Sequence, residues 1–340
     1  MARERIAYID FMKCLCIMLI VMYHIDHEFF NYLLPNLNNA FQAFRLPMYY
    51  FISGIFFKLY DGFSDFTRRK VNNILVPFVF FVILGFGYHL LEYGMRHVIG
   101  AEPVDLDLSL LVAPFIKRYW IISTPLWFLL SLFWVNIIFY ALQRWIKRLW
   151  ALLAVVAALS VVGYWLGINQ IQLPLMLDSS LVALPYFVLG WGAKHMGVLA
   201  PSRWDIWGVL ALVLVAFPIY LYSDYLNLHL QVLPPYWKVY VLPFIAILAL
   251  LWACKNLPYV PVLCHYGRYS LIILGTHPLF FLPLRSVCIL RFGFEPGIAL
   301  TLVVFVLTML LEWPMIWLLK TWFPRFTAQE PFFRPDWKLH

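Results

Sequence analysis

Between Asp10 and His24 the chain reads Asp-Phe-Met-Lys-Cys-Leu-Cys-Ile-Met-Leu-Ile-Val-Met-Tyr-His, three ionisable groups in a run that otherwise suits lipid. On a helix the eleven residues from Lys13 to His24 turn through about 1100°, within roughly 20° of three full turns. Asp10 falls roughly 40° to the other side of His24 by the same arithmetic. One face therefore carries an acid, a cation and an imidazole, spread over roughly 21 Å of depth. Charge at that depth is costly and marks a pathway or a reaction site. An imidazole that titrates near neutral pH suits proton transfer. The plainer alternative pairs Asp10 with Lys13 near the interface and leaves His24 as a wetted residue at the far end.

The elements that must position these groups follow from composition. The chain has 340 residues, 64% of them hydrophobic and 12% charged, with a mean hydropathy of +0.81. Repeated runs of about twenty apolar residues predict an all-α, polytopic helical membrane protein. Ten spans are expected, near 8–28, 40–60, 73–93, 123–142, 150–168, 179–196, 205–224, 236–254, 266–286 and 297–320. Pro47, Pro278 and Pro283 interrupt the second and ninth, which is tolerated where neighbouring helices or water satisfy the freed carbonyls. Residues 1–325 read as one integral membrane domain and 326–340 as a short cytoplasmic tail.

The net charge of +8 then has a topological explanation rather than a nucleic-acid partner. With the N-terminus inside, seventeen of the 25 Lys and Arg residues fall in inside segments and seven outside, while Lys13 lies within a span. The bias predicts both termini on the cytoplasmic side. The five cysteines, Cys14, Cys16, Cys254, Cys264 and Cys288, show no CxxC spacing and read as packing residues. The first apolar run is too long for a cleaved signal peptide and carries Lys13.

The second span is aromatic, Phe44 to Lys58, with Arg45 at its start and Ser53-Gly54 near its end. Such small residues let a neighbouring helix or a ligand approach closely. Arg68, Arg69 and Lys70 follow, three adjacent cations that suit phosphate groups and equally suit positive-inside anchoring. Trp127 can stack on a sugar or sit in an interfacial aromatic belt. His277, after Thr276, is a packed histidine or a site residue, and Glu312 is a carboxylate inside the last span. His24, His27 and Glu28 have a spacing that can bind zinc, but His27 and Glu28 fall at a helix end where solvated residues are expected, so no metal is expected.

Four blocks in order resemble the acyltransferase 3 family of integral membrane acyltransferases. They are Lys13 with His24, Ser53 to Phe57, the basic segment Arg68 to Phe78, and Gly267, Ser270, Leu271, His277 and Pro278. Pro125 to Leu129 matches the family's Trp-Phe-Leu block. The chain departs from the pattern in having Lys13-Cys14 where many members have Arg-Gly, and Asn72-Asn73 where a cation often precedes the proline.

The resemblance implies a multi-pass enzyme of the cell inner membrane that moves an acyl group, commonly acetyl, from acetyl-CoA or another acyl-CoA to a sugar hydroxyl of a surface glycan or its lipid-linked saccharide precursor. In that role His24 can be the base, Lys13 can hold or polarise the donor, and Asp10 can orient Lys13. Arg68, Arg69 and Lys70 can hold the coenzyme's phosphates, with Arg45, Ser53, Trp127, His277 and Glu312 as candidates for substrate binding. His24 can alternatively carry the acyl group itself. A glycolipid or polysaccharide transporter would also need buried charge, but should show an internal repeat with matched broken helices. The topology is testable: cysteine tags near Arg69 and Arg148 should be labelled only once the inner face is opened, and a tag near Asn169 from outside. Labelling near Arg69 from outside intact cells would overturn the orientation.

Overall fold

The structure is a computed structural model, in which residues 6–99, 108–116, 118, 124–200, 202 and 207–333 are described. Arg3, Arg5, Lys117, Arg203, Arg334 and Lys338, counted among the loop charges, and the tail beyond Phe333 lie outside the described residues.

The described residues form helices and no strand, apart from a single antiparallel bridge between Asn227 and Val232. In chain order the helices are α1 (Ala7–Ile25), α2 (Phe29–Leu33), α3 (Leu37–Arg45), α4 (Pro47–Ile55) and α5 (Phe63–Lys70), which passes through a π-helical turn (Val71–Leu75) into α6 (Val76–Ile99). The short α7 (Ala113–Ile116) is followed by α8 (Trp127–Trp145), α9 (Leu149–Ile168), α10 (Leu177–His195), α11 (Gly208–Tyr222), α12 (Tyr236–Lys255), α13 (Pro261–Arg268), α14 (Ser270–Phe292) and α15 (Ile298–Trp322). Among the described residues eight helices are long and apolar enough to cross a membrane, one of them running from Phe63 to His97. This is a helical membrane protein, as the hydropathy demands, because a helix satisfies every backbone group within its own segment.

Two expected spans depart from that description. The seventh is α11, fifteen apolar residues long. The second is two helices of nine residues, α3 and α4, each rising only about 14 Å. The break falls at Leu46–Pro47, where proline has no N–H to continue the ladder and takes the first position of a new helix instead. α3 is not apolar: Asn38, Gln42 and Arg45 share its buried face. It therefore carries polar groups into the protein rather than crossing lipid.

Glycines fix how closely the helices around the first one approach. A Cβ on Gly54 in α4 would overlap the Phe187 carbonyl of α10, and one on Gly190 in α10 would overlap the Phe51 carbonyl of α4. The two helices thus cross backbone to backbone, the arrangement that small residues permit inside a membrane. Likewise a Cβ on Gly267 in α13 would overlap the Asp10 carbonyl of α1. That is the physical reason for the glycine in the Gly-x-x-Ser-Leu block. Gly190→Ala should lower thermal stability by about 1–3 kcal/mol or more, the usual range for overpacking. Gly94→Ala in α6, with open space around the new methyl, should not. Melting of both variants in detergent checks the pair.

Candidate functional site

His24, near the C-terminal end of α1, opens on a cavity of about 290 Å³. Its Nδ1 lies 2.8 Å from the carbonyl oxygen of Ile20, one turn earlier. A carbonyl only accepts, so Nδ1 carries the hydrogen, and in the neutral ring Nε2 keeps its lone pair. His277 on α14 repeats the device, with Nδ1 2.7 Å from the Ile273 carbonyl and Nε2 buried without a partner. The two imidazole centroids are 5.3 Å apart. His277 is fully buried and backs His24.

The break at Pro47 brings Gln42, Arg45, Leu46 and Pro47 into the wall of the same cavity. Arg45 is 3% exposed, and its guanidinium lies 3.8 Å over the Tyr23 ring. Trp127, at the first position of α8, is 4% exposed and forms another part of the wall. It is buried in the protein rather than set in a lipid-facing belt, and one ring face is stacked on His229 at 5.5 Å. His27 also lines this cavity; burial and then the Arg45 guanidinium lower its pKa and keep it neutral. Among the described residues no group of three or more His, Cys, Asp or Glu converges in a way that could hold a metal ion.

Lys13 lies in a second cavity of about 180 Å³ with Tyr49, Asn73 and Ser270. The Tyr49 hydroxyl donates to the Lys13 carbonyl at 2.9 Å, and the Lys13 ammonium sits 5.8 Å from the Phe56 ring centroid. Helix rise puts Lys13 about 16 Å along α1 from His24. Leu46 lines both cavities. The shared helical face is as expected, but the two side chains serve different chambers. Asp10 lines yet another cavity, of about 440 Å³, with His265, Arg268 and Trp313.

A further cavity of about 460 Å³ lies beyond Asn73, which lines it as well. Lys58, Arg69, Asn72 and residues Ala328 to Pro331 complete it. Of the three adjacent cations only Arg69 faces this space. It pairs with Asp65 at 2.8 Å, lies over the Tyr60 ring at 4.6 Å and keeps a side chain 47% exposed. Arg68 pairs with Asp65, and the Lys70 ammonium sits 5.3 Å from the Phe66 ring centroid. The π-helical turn shifts the register here, a device found at functional sites, and presents Asn72 and Asn73 together. Asn72 clips the tail: its amide donates to the Phe333 carbonyl at 2.9 Å and its oxygen accepts from the Phe333 N–H at 2.8 Å.

Sequence reasoning missed the segment from Ser223 to Pro235, which supplies Tyr225 to Leu230 to the histidine cavity. Buried Arg118 holds it, pairing with Asp178 and donating to the His229 carbonyl. Ser179 donates to the Leu228 carbonyl at 2.8 Å, and Gln231 donates to Ser179 at 2.9 Å. Burial and the Arg118 guanidinium bring the His229 pKa down to about 4, so its imidazole is neutral where it meets Trp127. Arg118, next to Lys117 between two apolar runs, reads as a loop charge, and nothing in its spacing points to Asp178. Ser53 and Glu312 line none of these spaces. Ser53 lies beside the α4–α10 crossing, and the Glu312 carboxyl meets the Thr276 hydroxyl at 2.8 Å between α15 and α14.

Comparison with known families places this geometry in context. The family model described as an acyltransferase domain, that of the acyltransferase 3 family, matches residues 6–317. Neither the comparison with curated proteins nor that with solved structures returns a match. The match runs through the whole helical bundle, so the chain belongs to the acyltransferase 3 family.

Proposed function

We propose that this membrane acyltransferase takes an acyl group, acetyl in the simplest case, from acyl-CoA in the cytoplasm and gives it to a hydroxyl of a cell-surface glycan or lipid-linked saccharide precursor. In this reading the protein sits in the cell inner membrane with both termini inside, and the α3–α4 pair stands in for one of ten crossings. The observation that carries the proposal is a series of three cavities joined by shared wall residues, the last two of them on α1: Lys58 and Arg69, then Lys13, then His24, with Asn73 and Leu46 at the two junctions.

Each stretch suits one part of the donor. The cationic cavity suits phosphates, which Arg69 can bind as a fork and Lys58 as a point charge. The narrow, mostly apolar cavity around Lys13 suits an extended thioester arm, with Lys13 and Ser270 as polar contacts. The thioester then reaches His24, whose Nε2 is the free acceptor needed to take a proton from a sugar hydroxyl. Gln42, whose side-chain oxygen is buried without a partner, and Asn227 are polar groups for the other hydroxyls. His277 is a positioning residue behind His24.

Replacing His24 with Ala should cut acyl transfer by about 10²–10⁴ while leaving the protein folded, the range for loss of a general base. Omitting acceptor and supplying labelled acetyl-CoA separates the mechanisms: direct transfer leaves no label on His24, and covalent catalysis leaves one. A His24→Ala protein with undiminished turnover would sink both, and a transporter role would take their place. Arg69→Ala should raise the apparent KM for acyl-CoA about ten- to a hundred-fold, the worth of one charge-assisted phosphate contact. An unchanged KM with poorer membrane insertion would make Arg69 a topological anchor.

A further inference from the structure

Arg45 presents an unusual combination. It is buried, it sits on the Tyr23 ring, and its Nη1 has no hydrogen-bond partner. Among the described residues no Asp or Glu forms an ion pair with it, and none lines the cavity it faces. Burying a cation without a counter-charge is costly. By contrast Arg118, also buried, has Asp178. The Tyr23 ring that carries Arg45 is 5.7 Å from the His24 ring, so the uncompensated charge stands beside the base. Lys13, the other cation on this path, lies in the neighbouring cavity and about 16 Å away along α1. It is not the group that meets a carbonyl at His24.

We propose that Arg45 is a catalytic residue whose guanidinium receives the negative charge that develops on the thioester carbonyl oxygen during acyl transfer. This rests on the reading that transfer occurs in the histidine cavity. The acceptor oxygen bonds to the carbonyl carbon as its proton moves to Nε2 of His24, and the carbonyl π pair shifts to oxygen beside the Arg45 guanidinium. Re-forming the carbonyl breaks the carbon–sulfur bond, and the departing coenzyme A thiolate recovers the proton from His24. A donor that is unpaired in the ground state and paired in the transition state stabilises only the latter, which is what raises turnover. The break at Leu46–Pro47 sets Arg45 in the cavity wall, and the aromatic face beneath it holds the guanidinium without quenching its charge.

The test uses full-length protein in detergent, acetyl-CoA as donor, the lipid-linked saccharide fraction of the host membrane as acceptor, and released coenzyme A as the readout. Arg45→Gln should lower kcat by about 10²–10³, the cost of removing one oxyanion donor, with both KM values within about threefold. Arg45→Lys, which keeps the charge, should retain more turnover than Arg45→Gln. Arg45→Ala should regain part of its activity with guanidinium added below denaturing concentration, a recovery that a misfolded protein would not show. An unchanged kcat in Arg45→Gln beside an inactive His24→Ala would overturn the oxyanion role alone. An acceptor KM that rises at constant kcat would overturn it too and make Arg45 a substrate holder. Full activity in both His24→Ala and Arg45→Gln would remove the histidine cavity as the place of reaction.

Discussion

The peptide bond before Pro47 sets more of this structure than any other single link. Proline cannot donate to the preceding turn, so the second apolar run ends one helix and begins another. That break lets α3 carry Asn38, Gln42 and Arg45 into the protein while α4 runs back along α1. It puts Leu46 between two chambers, sets the Tyr49 hydroxyl on the Lys13 carbonyl and delivers Gly54 to its crossing with α10. A continuous span through residues 40–60 would keep the hydropathy and lose the wall of the site.

The two histidines illustrate a second economy. Each takes its orientation from its own helix, through a hydrogen bond to the carbonyl one turn back. No separate carboxylate is needed to fix the tautomer, and none has to be buried for that purpose. The ring nitrogen that remains is an acceptor in each neutral ring, so the same local rule orients both imidazoles.

Much of this was legible in the residues because periodicity and charge report on it directly. Runs of apolar residues gave the membrane helices, and the helical turn gave the common face of Lys13 and His24. What a helical wheel cannot give is which chamber each side chain enters. That depends on partners distant in sequence, such as Asn73 for Lys13 and Trp127 for His24. Arg68 and Lys70 looked equivalent to Arg69, but α5 turns only Arg69 toward the cavity. The segment that closes the histidine cavity was illegible for a similar reason: its hold on the fold is a pairing of Arg118 with Asp178, sixty positions apart. Ser53, a small residue, and Glu312, a carboxylate inside a span, suit either packing or a site, and their neighbours in space are helices.

In the proposed orientation Leu46, the residue common to the lysine and histidine cavities, has an electrical consequence. Where solvent-accessible chambers approach each other from opposite sides of a bilayer, the low-dielectric layer thins to whatever separates them, and the transmembrane voltage falls mostly across that gap. Each elementary charge crossing it exchanges about 2.3 kcal/mol with a 100 mV potential. Under the proposed donor path, a neutral acyl thioester can slide past an isobutyl side chain without coupling to that field, whereas a hydronium ion or a coenzyme phosphate meets both the voltage and a dehydrating contact. One aliphatic side chain can thus act as an insulator that is permeable to the group being transferred and closed to the ions around it.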